Sequence, residues 1–401
     1  MRCRRLFAAS IFSLALLPCA TPAAPPQSGK SPRQKSERPA RAGRPPKPEP
    51  LGRGLILQRD STTGELHAPP PASSAPGAPG MIRSRVTLVQ VACTVMAPDG
   101  TQVRGLTAQN FRLYEDGVEQ KIASLDASAT PASIVLVIDA SPSIYRELAQ
   151  MRDAVRALAA ELSPADEIAV VSFSDAAHLL LPFSTDRVLL DRVLGSEYLA
   201  QVENSSQSYI YQAVFLASRE LLASRAGRKA IVLLTDGQDS GLGLTWDPAS
   251  ASPGYGRAAS QIAFDDVARE LASHNIALFI VSTENRPKAM TPVWLAAHAS
   301  EMLVSKNARR VEIPLYTLYL AELERRVGGD LYFLREIGDL KEIYRRIALT
   351  IRAQYTLGYY PSAGTTRPGW RRLRVELVPG GSLPAGARLT HRVSYYAPAF
   401  P

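Results

Sequence analysis

The chain has 401 residues, 46% of them hydrophobic and 21% charged, with a formal charge of +9. That excess sits at one end: residues 1–20 hold three Arg and no acid, residues 21–80 hold nine Lys/Arg against four Asp/Glu, and the remainder holds 34 bases and 33 acids. A balanced body excludes a basic nucleic-acid-binding face, and with Cys93 the one cysteine beyond residue 20, a disulfide scaffold is excluded too.

Met1–Ala24 reads as a secretory signal: Arg2, Arg4 and Arg5 precede the largely apolar Leu6–Leu17, and small residues follow around Ala20–Ala24. A buried N-terminal helix fits the cationic flank and Ala/Pro end less well. Leu16-Leu17-Pro18-Cys19 loosely resembles a lipoprotein cleavage box, although proline directly before Cys19 argues against a lipid anchor there. Beyond residue 20 no apolar run approaches the ~18 residues that span a bilayer. Residues 25–80 are rich in Pro and Ala, with few large apolar residues outside Leu51–Leu57, and read as a disordered basic linker.

Residues 81–130 have a β texture. Val86–Val95 alternates, Pro98-Asp99-Gly100 marks a turn, and Phe111–Glu115 and Val118–Leu125 flank the hairpin dipeptide Asp116-Gly117. From Ser133 strands alternate with helices. The strands are Ile134–Ile138, Ile168–Phe173, Leu179–Phe183, Ala230–Leu234, Ile276–Val281 and Asp330–Leu334. The helices are Tyr145–Leu162, Ile210–Leu222, Ala259–His274, Tyr316–Val327 and Leu340–Ala353. This pattern over residues 131–353 predicts an α/β fold, an open and mostly parallel sheet flanked by helices. Residues 354–401 return to β with Tyr355–Tyr360, Arg371–Val378 and His391–Tyr396. Neither β segment has enough strands for a sandwich alone. Together they predict one β-sandwich-like domain with the α/β domain inserted in it.

Three polar segments fall at strand or helix ends: Asp139-Ala140-Ser141-Pro142-Ser143, Asn204–Ser208, and Thr235-Asp236-Gly237. Open α/β sheets bind ligands beyond the carboxyl ends of their strands, so the three are expected to meet in one crevice. Carboxylates and hydroxyls without soft ligands suit a hard cation such as Mg²⁺ or Mn²⁺. Asp and Ser after a strand also form ordinary turns, and Ser143 also suits the cap of the following helix.

Asp139, Ser141 and Ser143 resemble the DxSxS metal-ion-dependent adhesion motif of the von Willebrand factor type A family, and Asp236 resembles its second aspartate. Aligned on Ile210-Tyr211-Gln212-Ala213, the family's threonine falls on Ser208, with Ser206 as the alternative. Gly105-Leu106-Thr107 with Phe111–Gly117, Gln354–Pro361, and Tyr395–Pro398 are similar to stretches of the secreted VWFA-related proteins frequent in Acidobacteria. The resemblance implies that Asp139, Ser141, Ser143, Ser208 and Asp236 hold a cation whose remaining position takes an Asp or Glu of a protein partner. It implies an exported adhesion module that is not an enzyme, in the periplasm, at the cell surface or secreted. The alternative is a structural envelope protein whose site is metal-free or only stabilising.

Tyr209, and Leu244, Trp246 and Tyr255 on the long segment Gln238–Arg257, are candidate partner contacts, with packing back onto the domain the competing role for Trp246. Arg286–Arg310 is a second candidate wall, and Asp239 reads as a turn residue. Tyr145 and Tyr211 flank the motif and either line the site or pack the core. HExxH, GxSxG and phosphate-binding glycine loops are absent; the histidines His67, His178, His274, His298 and His391 show no ligand spacing, and Cys93 reads as a buried thiol.

Overall fold

A computed structural model describes residues 45–61, 66–67, 88–127, 130–140, 148–195, 207–242, 244–247, 252–255, 261–283, 315–334, 336–362, 368–380 and 383–397. The central sheet runs Glu49–Pro50 (β1), Ala177–Ser184 (β10), Glu167–Phe173 (β9), Ala132–Asp139 (β8), Arg228–Thr235 (β11), Ile276–Ser282 (β14) and Gly329–Phe333 (β15). The strands from β9 to β15 are parallel, while β10 and β1 add an antiparallel edge. All eight residues of β8 are buried, as expected of a strand covered on both faces.

Alternation along β8 and β11 divides the core. Ile134, Leu136, Ile138 and Val232 face Leu148–Glu161 (α1), Arg187–Val193 (α2) and Leu340–Arg352 (α6). Val135, Val137, Ile231 and Leu233 face Ile210–Leu216 (α3), Phe264–Ser273 (α4) and Leu315–Val327 (α5). Each such aliphatic side chain contributes about 1.5–3 kcal/mol by leaving water. The helix expected over Ile210–Leu222 is α3 followed by a wider turn, Ala217–Leu222, in which Ala223 N donates to Ser218 O at 2.8 Å.

The two β segments do form one sandwich. One sheet is Arg388–His391 (β18), Val89–Met96 (β4), Gln354–Tyr359 (β16) and Ile122–Asp126 (β7); the other is Ser394–Ala397 (β19), Gly369–Leu377 (β17), Phe111–Glu115 (β5) and Val118–Gln120 (β6). Each sheet therefore mixes strands from before and after the α/β insertion, around Val91, Leu113, Leu357 and Leu373.

The sequence stretches that mark the sandwich meet at its polar centre. Tyr359 Oη and Tyr395 Oη donate to Glu115 Oε2 at 2.5 and 3.2 Å, and Glu115 is buried. Tyr355 Oη donates to Val103 O at 2.8 Å, fixing the chain beside Leu106. Asp116 and Gly117 turn the β5–β6 hairpin at φ 47° and 87°, the doubly left-handed geometry that Asp-Gly favours.

Guanidinium groups join sandwich to insertion. Arg228 reaches both junctions: Nε and NH2 donate to Thr130 O at 2.8 and 2.5 Å, and NH1 donates to Ile351 O at 3.0 Å. Arg392, between β18 and β19, donates to Ala272 O of α4 at 2.7 Å and to Gln90 O of β4 at 2.5 Å. Burial pushes its guanidinium down to about 10. Arg326 of α5 lies over Phe264 and over Trp370 of the sandwich, 5.4 and 5.6 Å from the ring centroids.

Several expectations change. The strand expected over His391–Tyr396 is two, β18 and β19, broken at Arg392–Val393 where the chain passes from one sheet to the other. Gln238–Arg257 carries a hairpin, Leu244–Asp247 (β12) with Ser252–Tyr255 (β13), and α2 lies where no helix is predicted.

The largest correction concerns the stretch expected to be a disordered linker: residues 45–61 are bound to the α/β domain. β1 pairs with β10, and Leu51, Leu55 and Leu57 pack on the α3–α4 side of the core. Gly52 N donates to Glu220 Oε1 at 2.8 Å, and Arg59 NH2 donates to Asp266 Oδ2 at 2.7 Å. The short antiparallel pair Gln58–Arg59 (β2) and Leu66–His67 (β3) follows. The leucines supply the apolar area that the rest of residues 25–80 lacks. The signal segment lies outside the described residues.

Arg228→Met keeps the apolar stem and removes the donors to both junction carbonyls. It is expected to cost about 2–3 kcal/mol and to split one urea transition into two; an unchanged single midpoint would contradict the clamp.

Candidate functional site

The register of the parallel strands brings the polar segments together. Ile138 pairs with Leu234, so Asp139 and Thr235 emerge side by side at the carboxyl ends of β8 and β11. Asp139 is 1% exposed, and its Oδ2 accepts from Thr235 Oγ1 and Ser208 Oγ, both at 3.2 Å. Ser208 is held in turn: its carbonyl accepts from Ser240 N at 2.8 Å, and Tyr209 N donates to Ser174 O at 2.7 Å. The segments after β9, before α3 and after β11 are thus laced around one buried carboxylate.

Asp236 is half-buried one residue beyond Thr235, and its Oδ1 accepts from Gln238 N at 2.9 Å. The turn depends on Gly237. At φ +89° it donates N–H to Thr235 Oγ1 at 3.0 Å, and a Cβ there would lie 2.8 Å from Tyr316 Cδ2. Both the left-handed backbone and the packing of α5 require glycine.

Asp239 is a turn residue, as expected, and more. Its carboxylate accepts from Gly241 N and Leu242 N at 2.9 and 2.7 Å and from Tyr211 N of α3 at 3.4 Å. Burial pushes its carboxyl above the usual range, against the pull of those backbone donors. The loop after β11 and the start of α3 are therefore tied to each other.

Of the expected site residues, Ser208 and Asp139 are in direct contact, while Asp236 follows Thr235 at the same sheet end and its carboxylate accepts from Gln238 N. Ser141, Ser143, Ser206 and Tyr145 lie outside the described residues, as does all of Arg286–Arg310. Leu244, Trp246 and Tyr255 are described by backbone alone: Leu244 pairs with Tyr255, and Trp246 with Pro253, in the hairpin beyond the crevice. Tyr209 is half-buried, with its ring against Gly241 and its Oη donating to Gln207 Oε1 at 2.9 Å. Tyr211 is fully buried, edge-on to Phe264 at 5.6 Å, and belongs to the core.

Away from the crevice, His274 bonds Glu270 O at 2.9 Å, and His391 Nε2 accepts from Val375 N at 3.2 Å. Cys93 is buried, its thiol pushed up to about 12 by that burial. The sequence reading passes over Thr235 and Ser240, although Thr235 stands in the Thr-Asp-Gly it singles out.

Among the described residues no group of three or more His, Cys, Asp or Glu assembles as a metal cluster. The crevice instead offers carboxylate and hydroxyl oxygens with no sulfur or imidazole, a donor set that fits a hard divalent cation.

An open α/β domain with oxygen donors at the carboxyl ends of its central strands is the class that fold and site define. Residues 134–238 match the family model of the von Willebrand factor type A domain, and the chain carries one. It is 33% identical over 118 residues to inter-alpha-trypsin inhibitor heavy chain H4 of Bos taurus, covering 27% of this chain and 13% of that protein. It is 21% identical over 252 residues to UPF0353 protein MAV335 of Mycobacterium avium, covering 60% of this chain and 65% of that one. The chain therefore spans less than two thirds of the length of these relatives. A solved von Willebrand factor type A structure from Catenulispora acidiphila is 12% identical, covering 78% of this chain and 75% of that one at a TM-score of 0.36.

Gly237→Ala is expected to lower stability by about 2–4 kcal/mol and to raise amide exchange at Gln238, read by hydrogen-exchange mass spectrometry. Wild-type exchange in the variant would refute the tight turn.

Proposed function

We propose that the crevice holds Mg²⁺ or Mn²⁺ with Asp139, Ser141, Ser143, Ser208 and Asp236, and that it captures an acidic side chain of a protein partner. The observation that carries this reading is the buried Asp139 carboxylate, with the Ser208 and Thr235 hydroxyls gathered on one of its oxygens. When bound, the cation would supply a Lewis-acidic position for a partner's carboxylate oxygen, its double charge formally matched by the two aspartates. Asp139 and Asp236 would offset its charge; Ser141, Ser143 and Ser208 would offer hydroxyl oxygens; Thr235 would hold Asp139 in place.

Tyr209 and the β12–β13 hairpin, with Leu244, Trp246 and Tyr255, would set partner choice. The N-terminal segment 1–24 would export the chain to the periplasm, cell surface or medium, as in the secreted VWFA-related proteins it resembles. No helix among the described residues is long and apolar enough to cross a membrane. The role is binding rather than catalysis.

A second reading starts from the same hydroxyls. Thr235 and Ser208 already hydrogen-bond Asp139, so the crevice would be a stabilising network in a structural envelope protein, with the sandwich making the contacts.

Isothermal titration of the full chain with MgCl₂ and MnCl₂ separates the two. A single site, lost in Asp139→Ala and in Ser141→Ala, is expected; the absence of divalent-cation affinity would remove the first reading. Pull-down from envelope extract is expected to lose its partner on adding chelator and in a Ser141→Ala/Asp236→Ala variant. Capture that survives both, with only a lowered melting temperature, would favour the second.

A further inference from the structure

At the amino ends of β11, β14 and β15, opposite the crevice, the outer face of the β18–β4–β16–β7 sheet leaves a cavity of about 540 Å³. That volume is in the range of small-molecule sites, which favour domain boundaries. One wall is a row of polar side chains in register, because Thr94 of β4 pairs with Thr390 of β18 on one side and with Gln354 of β16 on the other. The opposite wall carries Asp330 and Arg346, and Asn275 comes from the turn into β14.

Part of the polar lining is left for a ligand. Among the described residues, the side chains of Thr94, Thr390, Gln354, Asn275 and Arg388 make no hydrogen bond within the protein. Thr94 is buried, Gln354 and Asn275 are half-buried and Thr390 and Arg388 are exposed, so all five, from three strands and a turn, are available to a ligand in one space. Together they offer hydroxyls and amides that both donate and accept. Asp330 adds a carboxylate whose Oδ1 accepts from Leu331 N at 3.0 Å. It is exposed by area yet sits among enclosing protein, which pushes its carboxyl up.

The charge of the lining has a sign. Arg392 is committed to the carbonyls of Ala272 and Gln90. Arg346, lying over the Tyr332 ring at 5.6 Å, and Arg388 remain against the single carboxylate of Asp330. Burial lowers His391, so it adds no charge near neutral pH. A net positive lining with many two-way hydrogen-bonding groups matches a ligand that is both anionic and hydroxylated. A bare anion would leave the amide and hydroxyl row unused, and a neutral sugar would leave the guanidinium groups unused.

We propose that this cavity binds a small polyhydroxylated carboxylate of the sugar-acid class, its carboxylate taken by the arginines and its hydroxyls by Thr94, Thr390, Gln354 and Asp330. The site is separate from the metal crevice and does not depend on it.

The test is isothermal titration of the full chain with D-glucuronate and D-galacturonate, using D-glucose and acetate as probes of each half of the ligand. At least one uronate is expected to bind, with glucose and acetate at least tenfold weaker. Thr390→Val and Arg388→Ala lie at exposed positions on the sandwich side; each is expected to weaken the uronate at least fivefold with the melting temperature unchanged. Asp139→Ala is expected to leave that affinity unaltered. Failure of both uronates to bind, glucose binding as tightly as the uronate, or insensitivity to both sandwich variants would overturn the proposal.

Discussion

The architecture depends on closing a loop. A domain inserted in another must begin and end at nearly the same point, and Arg228 occupies that point. Its guanidinium binds the carbonyl of Thr130, just before β8, and that of Ile351, at the end of α6. Beside it, Gly227 at φ +78° lets the backbone approach so closely that a Cβ would lie 2.9 Å from Pro131 O. Asp166, buried under the same junction, accepts from Ala132 N at 2.7 Å. One cation and one carboxylate thus satisfy backbone groups that would be stranded where neither a helix nor a sheet can pair them.

From that closed base the sheet carries the crevice to its far end. Because β8 and β11 start together beside Arg228 and run parallel in register, Asp139 and Thr235 must emerge together. The loops then need only short-range bonds, and Asp239 and Ser240 supply them by tying the segment after β11 to the start of α3. The two ends of the sheet differ in chemistry for a topological reason. The carboxyl end carries the polar segments around Asp139, while the amino end is covered by the sandwich and keeps the polar cavity beneath it.

Much of this was legible in the residues. The uninterrupted apolar run Ile134–Ile138 announces a strand buried on both faces, and Asp116-Gly117 announces its hairpin. Strand-end position places Asp139 and Asp236 at the same end of the sheet, whereas Ser208, which precedes a helix, was singled out by the family resemblance. The joining of the two β segments follows from counting strands too few for either to close a core alone. Other features had no local signal. The break at Arg392–Val393 lies inside an alternating pattern and arises because the chain changes sheets there. α2 is short and begins at Asp186, whose Oδ1 accepts from Val188 N and Leu189 N at 2.9 and 3.0 Å; that cap was readable but brief. The strap at 45–61 was masked by its proline-rich surroundings, although Leu51, Leu55 and Leu57 already marked it as a segment with something to bury. Thr235 was overlooked because a threonine ending a β-strand is ordinary until its hydroxyl is seen on Asp139.

The insertion also fixes how tension would travel through the molecule. The chain reaches the α/β domain through Thr130 and leaves it at Ile351, and both connections run directly into sandwich strands. A pull applied at the crevice is therefore divided between two covalent crossings in parallel rather than passed along a single thread. The strand before the entry, β7, and the strand after the exit, β16, lie side by side and antiparallel, so the load arrives across a hydrogen-bonded ladder and not at one frayed end. Resistance to forced unfolding is a matter of rate, and two crossings that share one load lower the force that each of them carries.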